Sequence, residues 1–562
     1  MSVSDAPTVD RSWTDALTNR VVLRGMNGAE YLKWFARRET RIEPVIPQFM
    51  HECAHFWCFD SLVGRVIALL RMRAAFAMLF KRSSSSERDA ATDISKHVAC
   101  SIMLTPISEG LALFAECDTL SGQSSVNSLV ILALQICFGF PLKGKKGQDI
   151  SQLALLQGTR MTRDFLEDRK ASLYFKPFDC KDGYLPGYLS IKALHSRLKL
   201  RVPDLFDPDL FFSFVRAYFY EDCLLAEALL SHQNDEVKAA EAVARRIQGR
   251  VADLLRDEDL PSRVELFAKS IANGQPDVAL TDGIGIDSKD HRRVTEECDR
   301  AITALVAQAP RDDEHMRLVA GVILASIELR QFIIVASTSV TLSRDVEGNL
   351  DALSESGEKL ATIQKDRITP NAGEKSELMV VFDISDNCLF QAIKAGENVA
   401  IAKEFGDVSD TSREALRTFV TTQDLNQQVV DLLEEALVDL IKESWLKVIV
   451  DHVTKNTVRI ATALYLSVAT LNVKEEDLVR VKGMLLEKGL RPFIRDDPTL
   501  ARVLAAIGLV NTVSNQISTI EGLSQALLRL NADEFRESIE QLRIHTGLPL
   551  LLQSEDKLFA LV

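Results

Sequence analysis

Apolar residues recur three and four positions apart from about residue 31 to residue 230, which is the spacing of helices with one buried face. The two most apolar runs in this part are Leu62–Phe80 and Ser128–Phe140. The first run contains arginines and the second is shorter than a bilayer requires. Both are therefore predicted to be buried helices, with a membrane-surface helix as the minority alternative for the first. We expect no integral membrane association.

The pattern changes near residue 330, where "RQFIIVASTSVTLSRD" and "SELMVVFDISDN" are rich in β-branched residues, which are typical of strands. The stretch "LFQAIKAGENVAIAKEF" predicts a hairpin closed around Gly396 and Asn398. Helical spacing precedes this part and returns after it. The fold class predicted is mainly α, with a small β-rich module that makes the chain α+β overall. Four segments are expected: a helical zincin-like metallopeptidase domain (1–235), a helical accessory region (236–328), the β-rich module (329–407) and a C-terminal helical domain (408–562).

Composition narrows the function classes. A chain of 562 residues is too long for one ordinary core, which agrees with several domains. The net charge of −14 argues against nucleic-acid binding, which leaves a basic footprint. The nine cysteines are odd in number and widely spread, and the first residues are polar without an apolar signal core. The expectation is a cytoplasmic protein with reduced thiols.

The stretch "PQFMHECAHFWCF" carries the most definite chemistry in the chain. Residues four apart face the same way on a helix, so His51 and His55 would present two imidazoles to one point. That arrangement suits a tetrahedral Zn²⁺ ion, which takes nitrogen ligands readily. Glu52 is turned away by about one hundred degrees and can reach a metal-bound water as general base. The alternative is a buried helix with two satisfied histidines.

A catalytic zinc of this type needs a third protein ligand, and "TPISEGLALFAECD" offers Glu109. Thr105 is predicted to cap a helix that begins at Pro106, so that Glu109 falls in the favourable first turn. Gly110 has no side chain and would let another backbone approach closely. The alternative interpretation places Glu109 and Glu116 on a solvated helix face.

These motifs together resemble the gluzincin group of zinc metallopeptidases. "EGLALFAE" is similar to the E-G-W-A-L-Y-A-E stretch of a family of bacterial hydrolases related to thermostable carboxypeptidases, in which a Y-x-x-G helix follows. Here that helix is "YLPGYLSIKAL". The chain departs from the family in its shorter H-E-x-x-H motif and in Leu111, which stands where the family has Trp. The resemblance covers about residues 47 to 230.

The resemblance implies a role for each matching residue. Glu52 would be the general base and acid. Glu116 would be a partner of a ligating histidine without binding the metal itself. Tyr184 would stabilise the oxyanion, with Tyr188 as the alternate. The implied cofactor is Zn²⁺, and its ligands would be His51, His55 and Glu109.

The predicted function is hydrolysis of a peptide bond in a peptide or protein substrate. A zinc hydrolase of another amide stays open, because the motifs do not distinguish the two. A rival from another class is a non-catalytic helical interaction or regulatory protein with a structural or degenerate metal site. The residues after about 235 could bind a regulatory protein partner. Three thiols and two histidines near the motifs are interpreted as structural: Cys53, Cys58, Cys117, His97 and His195.

Overall fold

The computed structural model describes residues 13–15, 17, 20–22, 45–81, 84–118, 184–232, 235–308, 332–365, 375–383, 385–386, 388–396, 398–441, 490–492, 551–554 and 558–560. They belong to two compact units. The first contains a sheet of eight strands, helix α1 (Val45–Phe59) and most of helix α11 (Asp410–Ile441). The second is built mainly from helices.

The sheet of the first unit joins an N-terminal hairpin to the strands predicted after residue 330. Its strands are β1 (Trp13–Asp15), β2 (Arg20–Val22), β3 (Phe332–Arg344), β4 (Leu350–Leu353), β5 (Lys359–Ile363), β6 (Lys375–Asp383), β7 (Cys388–Ala395) and β8 (Asn398–Phe405). The order is β1-β2-β3-β6-β7-β8, and β4 pairs with both β3 and β5. All of these pairs are antiparallel except β2–β3, which is parallel.

Local sequence explains the strands well. On β3 the side chains alternate between buried Val340 and Leu342 and exposed Ser339 and Thr341, which is the period of a half-buried strand. The β7–β8 hairpin closes at Gly396, whose φ of 56° lies in the left-handed region that glycine adopts easily. The predicted hairpin is therefore confirmed. The β1–β2 hairpin precedes the part of the chain for which the apolar pattern predicts elements.

One face of this sheet is covered by helix α11. Phe332, Met379 and Phe390 on three neighbouring strands form a buried cluster with residues of the helix. Leu416 and Phe419 occupy one side of α11, three positions apart, and both are buried. Helix α1 packs against β1 and β2 in the same unit.

The helices of the second unit are α2 (Leu62–Phe76), α3 (Ser84–Asp118), α4 (Tyr184–Arg201), α5 (Pro208–Tyr220), α6 (Cys223–Leu230), α7 (Glu236–Arg256), α8 (Leu260–Ala272), α9 (Pro276–Ala279) and the first half of α10 (Ser288–Ala307). A π-helical turn at Ala77–Lys81 follows α2. Three strands also belong here, β9 (Leu490–Pro492), β10 (Leu551–Ser554) and β11 (Leu558–Ala560), and they form an antiparallel sheet that the apolar pattern does not predict.

Helix α3 is the centre of the second unit, because α2, α4 and α7 all pack against it. Its segment Glu87–Asp118 is long and apolar enough to span a membrane by composition, but 72% of its most apolar window is buried inside the protein. Such burial is the property of a core helix, so the segment is weak evidence for a membrane span. The run Leu62–Phe80 forms the buried helix α2 and the π-helical turn, as predicted, whereas Ser128–Phe140 lies outside the described residues.

The predicted helix start at Thr105 is wrong. Helix α3 runs without interruption from Ser84 to Asp118, with Pro106 in its interior. Pro106 has no N–H group, so one helical hydrogen bond is missing there. The hydroxyl of Thr105 donates to the carbonyl oxygen of Ser101 at 2.6 Å, as threonines inside helices do. Burial of the helix among three neighbours offsets the missing bond. The described residues have the α+β layout that the sequence predicts.

Candidate metal centre

Helix α1 brings two buried histidines together, as the H-E-x-x-H spacing predicts. His51 and His55 are only 6% and 8% exposed. Their rings meet edge to face with centroids 4.9 Å apart, and the two Nε2 atoms are separated by 3.2 Å. Phe59, one turn further along, stacks on the ring of His55. The two imidazole nitrogens therefore converge on one point at the side of the helix.

The spacing of the two nitrogens fits a shared zinc ion. Two nitrogen ligands, each about 2.0–2.1 Å from a tetrahedral Zn²⁺, are roughly 3.3 Å apart. The observed 3.2 Å agrees with that value. The same distance also suits an N–H···N hydrogen bond between neutral imidazoles, so metal content is the measurement that separates the two interpretations.

Glu109, the predicted third ligand, lies on helix α3 in the second compact unit, whereas helix α1 belongs to the first. Two imidazoles and one carboxylate are a donor set that holds zinc in catalytic sites with an open fourth position. The role of Glu109 as the carboxylate of such a set stays a prediction.

The carboxylate of Glu52 has a hydrogen-bond partner that no sequence motif predicts. Glu52 is 6% exposed, and its Oε2 accepts a hydrogen bond of 2.6 Å from the hydroxyl of Thr14 on β1. Thr14 lies 38 positions earlier in the chain. No motif includes it, and only the packing of α1 against the N-terminal hairpin brings the two together. Glu52 is thus held by β1, while the rings of the two neighbouring histidines converge at the side of helix α1.

Glu109 lies in the interior of α3, so the expected stabilisation by a helix N-terminus does not apply. The prediction that Gly110 lets another backbone approach closely is confirmed. A Cβ atom at Gly110 would lie 2.3 Å from the carbonyl oxygen of Gly187 on α4, and a Cβ at Gly187 would lie 2.4 Å from that of Pro106. Each glycine lets the other backbone approach closely. The E-G and Y-x-x-G motifs therefore meet at a contact between two helices.

The two candidate oxyanion donors have different outcomes. Tyr184 is the first residue of α4, and its side chain lies outside the described residues. Tyr188 is fully buried, and its hydroxyl donates to Oδ2 of Asp118 at 2.9 Å. A hydroxyl has one proton to donate, and that of Tyr188 is donated to Asp118. Tyr188 is therefore a poor oxyanion donor.

Glu116 is 1% exposed, on the same helix as Glu109. The interpretation that placed it on a solvated face is therefore wrong. Its predicted support of a ligating histidine stays a prediction. The cost of burying a carboxylate makes such a position uncommon without a structural or functional reason.

The neighbouring thiols lie in the core, and His195 packs among aromatic rings. Cys53, Cys58 and Cys117 are buried and form no disulfide. Burial raises the pKa of Cys53 well above its usual value, and the adjacent Glu52 adds to the rise, so this thiol stays protonated. The His195 ring nitrogen Nε2 lies 2.8 Å from the carbonyl oxygen of Leu205, inside a cluster of aromatic rings.

His97, on helix α3, is the other histidine interpreted as structural. Burial, and then the charge of Arg71, lower its pKa to about 4. Its imidazole is therefore neutral at physiological pH.

Comparisons of the chain with protein-family models, with characterised proteins and with solved structures found no match. Function is therefore inferred from the side chains of the chain itself.

Proposed function

We propose that the protein is a zinc-dependent metallopeptidase of the H-E-x-x-H type, with His51, His55 and Glu109 as metal ligands. The observation that carries the proposal is the convergence of the two imidazoles on helix α1, whose Nε2 atoms lie 3.2 Å apart. This is the separation that a tetrahedral ion requires of two nitrogen ligands. Glu109 is the proposed third ligand because of the resemblance of the E-G motif.

Glu52 is the proposed general base and acid. Glu52 follows His51 directly and is buried, and Oε2 of its carboxylate accepts a hydrogen bond from Thr14. When bound, zinc supplies Lewis acidity that polarises a substrate carbonyl and activates water. Glu52 takes a proton from the attacking water and returns it to the leaving amine. Tyr184 is the proposed donor to the oxyanion, which follows from the Y-x-x-G resemblance alone.

The proposed substrate is a peptide or protein, and a zinc hydrolase acting on another amide is the nearest alternative. We further propose that the protein acts in the cytoplasm, does not bind nucleic acid and is not an integral membrane protein. The part of the chain after residue 235 is the proposed contact for a regulatory partner. These proposals rest on the composition of the sequence and on its resemblance to gluzincin metallopeptidases.

The rival function is a non-catalytic helical interaction or regulatory protein with a structural or degenerate metal site. The Tyr188–Asp118 hydrogen bond favours it, because it removes one of the two candidate oxyanion donors. A structural site would bind metal as the peptidase does, whereas a degenerate site would not. Neither form of the rival predicts cleavage that depends on Glu52.

The experiment compares metal content and cleavage in the wild type and in Glu52→Gln, with fluorescein-labelled casein as substrate. The peptidase proposal predicts that Glu52→Gln retains zinc and loses cleavage. A matched pair of histidine variants tests the ligands: His55→Ala should lose zinc, whereas His232→Ala, at an exposed position, should keep it. Zinc retention with undiminished cleavage in Glu52→Gln would remove Glu52 from the mechanism, and zinc binding without any wild-type cleavage of casein or of a mixed peptide library would favour the rival.

A further inference from the structure

We propose that Thr14 is a positioning residue for Glu52, an inference that rests on the proposed metallopeptidase function. The hydroxyl of Thr14 lies 2.6 Å from Oε2 of Glu52 and 3.3 Å from the carbonyl oxygen of the same residue. A threonine hydroxyl donates one proton, and a carboxylate is the stronger acceptor. The proton therefore points to Oε2.

The length of this hydrogen bond is at the short end of the range for hydroxyl donors. Hydrogen bonds from a hydroxyl to an ionised carboxylate are about 2.5–2.7 Å long and roughly twice as strong as neutral ones. The 2.6 Å contact falls in that range, and Glu52 is nearly inaccessible to competing water at 6% exposure. Thr14 thus fixes one carboxylate oxygen and restricts rotation about the last side-chain bond of Glu52.

Thr14 is itself held on a rigid element. Its strand β1 pairs with β2, where Thr14 lies opposite Val21. Val21 in turn lies beside Ile333 on β3, in the parallel part of the eight-stranded sheet. The hydroxyl is therefore anchored through two backbone ladders. A group that must hold a catalytic carboxylate to within about half an ångström is best placed on such an element.

The consequence concerns the atom that carries the proton. With Oε2 occupied by Thr14, Oε1 is the oxygen that accepts the proton from water and donates it to the leaving amine. Loss of the Thr14 hydroxyl lets the carboxylate rotate, so fewer enzyme molecules hold the base in a reactive orientation. Substrate binding and metal binding do not depend on this hydrogen bond.

The kinetic test compares Thr14→Val with Thr14→Ser and the wild type on fluorescein-labelled casein. Loss of a supporting hydrogen bond typically lowers activity about 10- to 100-fold. We expect a fall of this size in kcat for Thr14→Val, an unchanged KM, wild-type zinc content, and recovery in Thr14→Ser. A kcat within twofold of wild type in Thr14→Val would overturn the inference, and so would a Thr14→Ser variant as slow as Thr14→Val.

The chain offers a matched control. Thr362 on β5 also donates its hydroxyl to a carboxylate on a neighbouring strand, Asp351, at 2.7 Å. Thr362→Val removes the same kind of hydrogen bond from the same unit without touching helix α1. It should leave kcat unchanged, which separates a positioning effect from a general loss of stability.

A second readout needs no activity. In urea unfolding of the metal-free protein, Thr14→Val and Glu52→Gln should be non-additive, because the hydrogen bond is charge-assisted only when both residues are present. Additive effects would show that the contact carries no energy and would overturn the inference. If the wild type neither binds zinc nor cleaves casein, the proposed function fails and the positioning role falls with it, whereas non-additivity would still report the contact itself.

Discussion

Gly110→Ala is the substitution whose effect follows most directly from the coordinates. Gly110 and Gly187 allow α3 and α4 to approach at the point where the E-G and Y-x-x-G motifs meet. An alanine Cβ at position 110 would lie 2.3 Å from the carbonyl oxygen of Gly187 and 2.6 Å from Cγ1 of Ile191. The first of these atoms belongs to a helix backbone and cannot rotate away.

The magnitude follows from two opposing effects. The contact must lengthen by about 1 Å to reach ordinary van der Waals distance, and forcing extra atoms into a packed core costs about 1–3 kcal/mol. Alanine is a better helix former than glycine by about 1 kcal/mol. A clash with backbone lies at the upper end of the first range, so the net loss is about 2 kcal/mol. This corresponds to a roughly 30-fold rise in the population of locally opened α3 and α4.

Hydrogen–deuterium exchange with mass spectrometry measures this effect locally, in peptides from α3 and α4. The control is Gly249→Ala in α7, where a Cβ would meet nothing within 4 Å. That variant should exchange more slowly within α7, because only the gain in helix propensity remains. Exchange in Gly110→Ala as slow as in wild type would refute the close helix contact, and faster exchange in Gly249→Ala would refute the reasoning about propensity.

Two further predictions concern buried polar groups of the second unit. Lys96 is buried and donates to the carbonyl oxygens of Leu229 and Ser231 at the end of α6, and burial lowers its pKa from 10.5 to about 8. Between pH 8 and 10.5 the amine of Lys96 is protonated in the unfolded chain and largely neutral in the folded one, so the free energy of unfolding rises with pH. Relative to Lys96→Met, wild type should gain at most about 3 kcal/mol between pH 7 and pH 10. Urea titrations at the two pH values measure this gain, and a stability difference between the two proteins that stays constant or falls would contradict the prediction. Tyr188→Phe removes the hydroxyl that donates to Asp118 and should cost about 1–2 kcal/mol in urea unfolding, while casein cleavage persists. Abolished cleavage in a folded variant would show that Tyr188 takes part in the reaction.

Local patterns were sufficient to predict several elements and contacts. The H-E-x-x-H spacing predicted that His51 and His55 converge, because a helix places residues four apart on one side. The β7–β8 hairpin was predicted from Gly396 and Asn398, which lie between two stretches of strand-forming residues. The close approach at Gly110 followed from a missing side chain in an otherwise apolar helix. Each of these features depends on residues near one another in the sequence.

The features that sequence did not predict depend on tertiary contacts. Thr14 reaches Glu52 across 38 positions, through a hairpin whose strands have only three residues each. Pro106 is a normal helix start by local preference, but burial between neighbouring helices keeps α3 continuous through it. The hydrogen bond from Tyr188 to Asp118 joins two helices that are distant in sequence. Propensity contains no information about such partners.

The central proposal is that His51, His55 and Glu109 are the ligands of a zinc ion. The most direct measurement is the zinc content of the purified full-length chain by mass spectrometry, compared among wild type, His55→Ala and His232→Ala. We predict about one zinc per chain in wild type and in His232→Ala, and a large loss in His55→Ala. The claim would be contradicted if wild type were purified without zinc and took up none when zinc was added, or if all three proteins contained equal zinc.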